Sequence, residues 1–285
     1  MRIGIATYEN PDVADLDVGR VVPALERAGH AGEVVPWTDG STDWGSFDVV
    51  WLSSTWDYNE HLERFRAWLR DVDAVTDVHN PPRIVEWNLD KRYLRELEAH
   101  GVSIIPTVWG DPAEAGRAAD EVAAYGWARI VVKPAIDLGA RNLRVVEPDG
   151  VEEAVAAIGA ASLVQPFLAS VERDGETSIV YFRGEYAHAV HKQPAAGDFR
   201  VQEQYGGRYT VVDPDEDSLA LGEDALSALR AATGLERDLL YARVDIVRDS
   251  HGEPRVIELE LIEPSLYLNV VGDEAADRFA ALLTA

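Results

Sequence analysis

Four charged residues, Arg243, Asp245, Glu258 and Glu260, form the pattern in this sequence that is most capable of chemistry. They interrupt two apolar runs joined by the polar segment 248–254, which predicts a β-hairpin. Residues two apart on a strand face the same way, so Glu258 and Glu260 share a face and pairing can bring Asp245 opposite them. Three carboxylates on one face repel unless a cation lies between them, and hard oxygen ligands suit Mg²⁺.

Arg243 shares its strand face with Asp245 and can meet an anionic ligand held by such a metal. The alternative interpretation is a solvated hairpin face, because acidic residues are abundant throughout the chain.

Lys133 lies in an apolar run, 128–134, that predicts a strand buried on at least one face. A buried lysine requires an anion, and the following loop 135–140, which contains Gly139, can close over phosphates with its backbone N–H groups. The alternative is a lysine whose stem reaches out to solvent. Lys91, on a predicted helix over 84–97, is a weaker candidate of the same kind.

The segment 163–168 predicts a strand that ends in a hinge. Its proline removes a ladder donor, which leaves neighbouring backbone groups free to read an adenine edge, and Glu172 can then reach ribose hydroxyls. A core strand with a terminal proline explains the same residues. The hinge residues are Gln165, Pro166, Phe167 and Leu168.

Arg200 follows a Pro-Ala-Ala-Gly turn at 194–197. The planar fork of an arginine in a mobile segment suits capture of a carboxylate or phosphate.

Composition restricts the classes of function. The 285 residues carry a net charge of −25, which disfavours nucleic acid and anionic membranes as partners. Cysteine is absent, so disulfides, thiolate catalysis and cysteine-ligated zinc are excluded. No signal-peptide pattern and no membrane-length apolar stretch is present, so we expect a cytoplasmic enzyme.

The elements that position these residues fall into two patterns. Strands at 2–7, 33–37 and 47–53 alternate with helices at 15–28 and 61–72, which predicts a doubly wound parallel sheet of the α/β class. Ligands of such sheets bind beyond the carboxyl ends of the strands, where the polar segment 53–58 lies. The alternative for that segment is a helix N-cap with packed aromatic residues.

From residue 127 onward the pattern is mainly antiparallel strands with a few helices, an α+β arrangement. Over the chain as a whole, further strands are predicted at 103–107, 141–146, 177–182 and 186–192 and as a pair around Gly206 and Gly207. Further helices are predicted at 112–125, 150–158, 218–233 and 273–283.

The order of these parts resembles the ATP-grasp superfamily of carboxylate–amine ligases over nearly the whole chain. Within it, the sequence is most similar to the O-ureido-D-serine cyclo-ligase group of D-cycloserine biosynthesis. The matching segments are 54–58, 87–91, 188–194, 197–202 and 260–266.

The resemblance implies an ATP-grasp fold of three parts, an N-terminal α/β domain (1–85), a nucleotide-binding subdomain (86–168) and a subdomain with the metal site (169–285). It implies ATP held by Lys91, Lys133, the loop with Gly139 and the hinge, with Glu172 on ribose. Two Mg²⁺ ions would lie on Asp245, Glu258 and Glu260, where Glu260 replaces the family's asparagine, so Glu263 also remains a candidate ligand.

The implied reaction activates the carboxylate of a small amino-acid-like substrate as an acyl phosphate, which an amine then attacks. Arg243 would stabilise the acyl phosphate, Arg200 would hold phosphate or the substrate carboxylate, and Lys133 would assist phosphoryl transfer. An intermolecular amino-acid ligase and a non-catalytic nucleotide-binding protein remain alternatives, and the sequence leaves open whether the chain forms a homo-oligomer.

Overall fold

The structure is a computed structural model, and it describes residues 1–9, 15–140, 142–195, 200–201 and 206–285. Its first sheet is parallel and contains β1 (Arg2–Thr7), β2 (Ala31–Pro36), β3 (Val49–Ser54) and β4 (Asp77–His79) in the spatial order β2-β1-β3-β4. Every residue of β3 is buried, in agreement with its apolar sequence. The predicted α/β sheet of the N-terminal part is confirmed.

Two antiparallel sheets follow. The second sheet has the order β5-β8-β6-β7 and contains β5 (Val108–Gly110), β6 (Ile130–Pro134), β7 (Arg144–Val146) and β8 (Ser162–Pro166). The third sheet has the order β11-β10-β9-β12-β13 and contains β9 (Glu176–Phe182), β10 (Glu185–Gln193), β11 (Arg208–Val212), β12 (Tyr241–Arg248) and β13 (Pro254–Glu260).

The helices cover the sheets and connect them. They are α1 (Val18–Arg27), α2 (Leu62–Asp73), α3 (Pro82–Asn88), α4 (Tyr93–Ala99), α5 (Ala115–Tyr125), α6 (Val151–Ile158), α7 (Ala169–Asp174), α8 (Glu216–Thr233), α9 (Leu268–Val271) and α10 (Asp273–Leu283). Short 3₁₀ turns occur at Trp44–Ser46, Tyr58–Glu60, Pro112–Glu114 and Pro148–Gly150. Among the described residues, no helix combines the length and apolarity needed to cross a membrane.

The predicted hairpin over 177–192 is confirmed as β9 and β10. Its connection is the pair Arg183 and Gly184, with φ of 52° and 78°. Left-handed backbone at both positions matches the twist of the flanking strands, and glycine adopts it without strain.

The predicted single helix over 84–97 is wrong, because the helix is interrupted between α3 and α4. Asn88 ends the first helix by bonding β13, since its Nδ2 donates to the Leu259 carbonyl at 2.8 Å and its Oδ1 accepts from the Leu261 N–H at 2.9 Å. The Tyr93 hydroxyl, at the start of α4, accepts from the Leu259 N–H and donates to its carbonyl, both at 2.8 Å. Lys91 therefore lies in a loop pressed against the sheet.

The predicted strand over 103–107 is also wrong. Only Ile104 forms a bridge, a parallel one to Val256, and the strand of the second sheet begins at Val108. Pro106 has no N–H to continue the pairing. Near Gly206 and Gly207, β11 pairs with β10, while a partner strand before these glycines falls on 202–205, outside the described residues.

The first and third sheets share a core through α10. Trp51 of β3 and Phe182 of β9 both contact Phe279, with ring centroids 5.1 and 5.2 Å apart. The domain boundaries predicted after residues 85 and 168 fall between the sheets and stay a prediction.

We expect Tyr93→Phe to lower the free energy of unfolding by about 1–3 kcal/mol, because it leaves buried backbone groups of Leu259 without their hydroxyl partner. Urea denaturation measures the change. Tyr125→Phe is the matched control, because Tyr125 is 62% exposed, and we expect it to change stability by less than about 0.5 kcal/mol. Equal stability of the two variants would contradict the role given to Tyr93.

Candidate active site

A cavity of about 640 Å³ opens between the three sheets. This size is within the range of small-molecule sites in proteins. The structure brings nearly all of the predicted site residues to its wall, namely Lys91, Lys133, Gly139, Gln165, Pro166, Phe167, Leu168, Arg200, Arg243, Asp245, Glu258 and Glu260. Glu172 is the one predicted residue that does not line it. We call this cavity the cleft.

The charged hairpin face has the predicted register. Asp245 pairs with Glu258 across the strands, and Arg243 pairs with Glu260. Arg243 holds Asp245 with two parallel bonds of 2.9 Å, from Nε to Oδ1 and from Nη2 to Oδ2, and it also contacts Glu260. Ser178 Oγ donates to Asp245 at 2.6 Å. Burial raises the pKa of Asp245, but the charges of Arg243 and Lys192 outweigh it and lower that pKa.

Lys192 of β10 is a site residue that the sequence reasoning did not select. It is 4% exposed, its Nζ lies 3.1 Å from Asp245 Oδ2, and it contacts Glu176 of β9. Burial lowers the pKa of Lys192, but Asp245 and Glu176 raise it above its ordinary value. Its strand also contains Glu185, His188, His191 and Gln193, so it lacks the apolar run that selected Lys133.

The two glutamates of β13 are partly exposed to the cleft. Glu258 forms a salt bridge of 3.0 Å with Lys91, and Glu260 contacts Arg243. Burial raises the pKa of Glu260 to about 7, with Arg243 opposing and the charges of Asp245 and Glu258 adding to the effect.

The donor chemistry of this face fits a divalent cation, because its carboxylates repel one another. Within the described ranges, however, no group of three or more acidic or histidine side chains is arranged to hold a metal ion. Lysine and arginine contacts engage the three predicted ligands, so an ion would have to replace part of this pairing.

Lys91 reaches the cleft because of the break between α3 and α4. Its backbone N–H donates to the Ala135 carbonyl at 2.8 Å, and its Nζ donates to the Asp137 carbonyl at 2.6 Å. Burial lowers the pKa of Lys91, but the charge of Glu258 outweighs it and raises that pKa. The lysine thus joins the loop over 135–140 to the acidic hairpin.

Lys133 differs from the other two lysines of this wall. Among the residues that the structure describes, it forms no salt bridge. Burial and then the charge of Lys91 lower its pKa, with Glu258 opposing. Its ammonium group is therefore the cation for which an external anion is most favourable.

The chain contains only three lysines, Lys91, Lys133 and Lys192, and all three line the cleft. In a protein with a net charge of −25, this placement concentrates positive charge where a polyanion would bind.

The loop after Lys133 is fixed by its own side chains. The Asp137 carboxylate accepts from Asn142 Nδ2 at 2.9 Å and from the Asn142 N–H at 3.3 Å. Gly139 and Ala140 have φ of 66° and 54°, and both line the cleft. The wall of the cleft thus contains left-handed backbone at both positions, which glycine adopts without strain.

The predicted hinge lines the cleft but differs in one respect. The Phe167 N–H is not free, because it donates to the Arg129 carbonyl at 2.8 Å. The ladder continues past Pro166, and the Arg129 guanidinium lies 3.7 Å from the centre of the Phe167 ring. Gln165 is 3% exposed and donates to Thr107 Oγ1 at 2.9 Å.

Two predicted contacts lie at the margins of the site. Glu172, on α7, lies 3.7 Å from Arg129 and follows Val171, which lines the cleft. Arg200 lines the cleft, although the segments on both sides of residues 200–201 lie outside the described residues.

Asp17 was also missed. It accepts from the Leu266 and Leu268 N–H groups at 2.5 and 2.7 Å, and burial together with the charge of Asp15 raises its pKa to about 7. Glu263, named from the sequence as a further candidate ligand, lines the cleft and is 6% exposed. The spacing of residues carried no signal for Asp17, because its partners are about 250 residues away in sequence.

We expect Lys192→Met to lower the free energy of unfolding at pH 7 by about 3–5 kcal/mol, because it leaves Asp245 and Glu176 buried without their shared cation. Because the pKa of Asp245 is lowered, its stabilising pairing is complete above the ordinary aspartate pKa of about 4 and is lost as the pH falls below that value, so the penalty should shrink from about pH 4 to about pH 3. Denaturation at about pH 7, 4 and 3 tests this. The exposed Arg144→Met is the charge-matched control, and a pH-independent penalty would contradict the argument.

Three comparisons with known proteins bear on this site. Residues 3–80 match the family model of the N-terminal domain of D-cycloserine synthetase DcsG. The chain is 37% identical to cycloserine biosynthesis protein DcsG of Streptomyces lavendulae over 279 residues, which cover 94% of this chain and 93% of that protein.

Solved structures agree. The crystal structure of D-cycloserine synthetase DcsG superposes with a TM-score of 0.90 at 34% identity, covering 99% of this chain and 98% of that one. The ATP-grasp ligase PsnB, complexed with minimal precursor, Mg and ADP, gives a TM-score of 0.63 at 18% identity over 99% and 98% of the two chains, which shows the shared fold. The chain therefore belongs to the DcsG family of ATP-grasp ligases.

Proposed function

We propose that this ligase activates the carboxylate of an O-ureido-serine as an acyl phosphate and closes a ring through the substrate's own nitrogen. The observation that carries the proposal is the confinement of all three lysines to one cleft beside an acidic hairpin. That combination suits a metal-bound polyphosphate, and the similarity to cycloserine biosynthesis protein DcsG supports the substrate class.

ATP would lie across the cleft with its phosphates on Lys133, Lys91 and the loop that contains Gly139. Lys192 is buried beside Asp245 and would add positive charge on the same side. The adenine would rest between Gln165 and Leu168 of the hinge, with Glu172 approaching the ribose after a side-chain rotation away from Arg129.

Asp245, Glu258 and Glu260 would hold Mg²⁺, with two ions as the proposed number. The bound metal supplies charge neutralisation to the triphosphate, the main requirement of phosphoryl transfer. PsnB, a ligase of the same fold, has been solved with Mg and ADP.

The protein's own residues would position the reacting groups. A substrate carboxylate oxygen attacks the γ-phosphorus and ADP leaves; the substrate nitrogen then attacks the acyl carbon, and inorganic phosphate leaves. Arg243, a residue that is 6% exposed and whose guanidinium is fixed by Asp245, would face the acyl phosphate oxygens. Arg200 would hold the phosphate or the substrate carboxylate.

The first test measures ADP and phosphate with ATP, Mg²⁺ and either enantiomer of O-ureido-serine. We expect equal amounts of both products without a second amine, and EDTA should abolish the reaction. A strict requirement for a second amino acid would instead indicate an intermolecular ligase.

Asp245→Asn with Glu258→Gln should lower kcat at least about a hundredfold. The control pair is Asp224→Asn with Glu236→Gln, two exposed acids with the same change of charge. Equal turnover of the two double variants would contradict the metal assignment.

The second test addresses the nucleotide. Lys133→Met should lower kcat/KM for ATP by about ten- to a hundredfold, because a charged contact to phosphate is lost. Arg144→Met removes a positive charge from an exposed position of β7 and serves as control. An unchanged KM for ATP in Lys133→Met would remove the lysine from the phosphate site.

A further inference from the structure

Glu263 carries a buried oxygen that nothing described in the protein satisfies. The residue lies three positions beyond the end of β13, is 6% exposed and lines the cleft. Its carboxyl group lies beside the Tyr58 hydroxyl, and burial together with the charge of Glu260 raises its pKa above the ordinary value. Its Oε2 has no hydrogen-bond partner among the described residues. An unsatisfied buried carboxyl oxygen is costly unless a ligand completes its contacts.

The other acids of the cleft that belong to the third sheet each have a cation of the protein as partner. Asp245 has Arg243 and Lys192, Glu258 has Lys91, Glu260 has Arg243 and Glu176 has Lys192. Glu263 forms no salt bridge with any residue in the described ranges, which leaves it as the acid on which an external cation would gain most.

The three remaining acids of the wall already have partners. Asp137 accepts from the backbone and side chain of Asn142. Asp15 accepts from the Asp17 and Val18 N–H groups and from Ser53 Oγ. Asp17 accepts from the backbone of Leu266 and Leu268. These carboxylates are therefore not available in the way that Glu263 is.

The surroundings of Glu263 hold it in place. Trp56 Nε1 donates to the Glu263 carbonyl at 3.1 Å, and the Trp56 ring lies 5.7 Å from that of Tyr8. Tyr58 is 4% exposed and stacks on Phe65 at 4.9 Å. Contacts from the segment after β3 thus hold Glu263 at the N-terminal side of the cleft.

We propose that Glu263, positioned by Tyr58, recognises the α-ammonium group of the amino-acid substrate. The inference rests on the proposed function, and it identifies the residue that selects an α-amino acid over a simple carboxylic acid. An α-ammonium group offers N–H donors and the positively charged partner that Glu263 lacks. The phosphate groups of the nucleotide offer neither. The phenol of Tyr58 lies beside the carboxyl group, and Oε2 is the oxygen without a partner among the described residues.

The experiment compares substrates that differ only in this group, O-ureido-serine and its des-amino analogue 3-(ureidooxy)propanoate. We expect wild-type kcat/KM to favour the amino acid by about ten- to a hundredfold, as for a buried charged hydrogen bond. In Glu263→Gln this ratio should fall to within a few-fold of one, mostly through KM for the amino acid. Tyr58→Phe should reduce the ratio partially, and the exposed Glu236→Gln should leave it unchanged.

Two further readouts separate this role from others. The KM for ATP and the Mg²⁺ concentration giving half-maximal rate should be the same in Glu263→Gln and wild type. A preserved substrate ratio would overturn the proposal. With an unchanged Mg²⁺ requirement it would place Glu263 in a structural role, and with a tenfold higher Mg²⁺ requirement it would place Glu263 in a metal-binding role. If circular dichroism shows that Glu263→Gln does not fold, Tyr58→Phe decides, and an unchanged ratio there overturns the proposal.

Failure of the proposed function is distinguishable from failure of this inference. If wild type releases no ADP with either enantiomer of O-ureido-serine but does so with another α-amino acid, the ring-closing reaction is wrong. The same ratio is then measured on that amino acid and its des-amino analogue. A ratio that collapses in Glu263→Gln supports the recognition of the ammonium group, and one that persists overturns it.

Discussion

The outer edge of β13 is the constraint on which the rest of the site depends. This strand lies at the edge of its sheet, and a free edge presents backbone groups that must find partners. Side chains provide them. Asn88 and Tyr93 bond Leu259 and Leu261, and Asn80 Nδ2 donates to the carbonyls of Tyr241 and Leu261, each at 2.9 Å.

These contacts determine where the catalytic candidates lie. Because Asn88 and Tyr93 are tied to the strand, the chain between them cannot remain helical, and Lys91 falls opposite Glu258. The N-terminal sheet is joined to the same region through Asp17 and Trp56, which bond the segment after β13. One edge strand thus aligns residues from all three sheets around one cleft.

Local patterns in the sequence were sufficient to predict the hairpin register, the N-terminal parallel sheet and the position of Lys133 on a strand. Each of these depends on the pattern of a few neighbouring residues. The break at residues 88–93 was not predictable in this way, since its cause is hydrogen bonding to residues about 170 positions away. Apolar periodicity continues through the break, so the pattern indicates one helix. Asp17 was missed for the same reason. Lys192 was missed because its strand mixes polar and apolar residues and lacks the apolar run that surrounds Lys133.

The confinement of lysine to the cleft has a chemical consequence for the protein itself. Acyl phosphates acylate neutral amines, so a ligase that made one beside lysines would risk modifying its own chain. Lys91 and Lys192 have raised pKa values because carboxylates surround them, and a protonated amine is not a nucleophile. In the proposed reaction, the acids that pair with these lysines would therefore also protect them from self-acylation. Lys133, whose pKa is lowered, would rely on phosphate for the same protection.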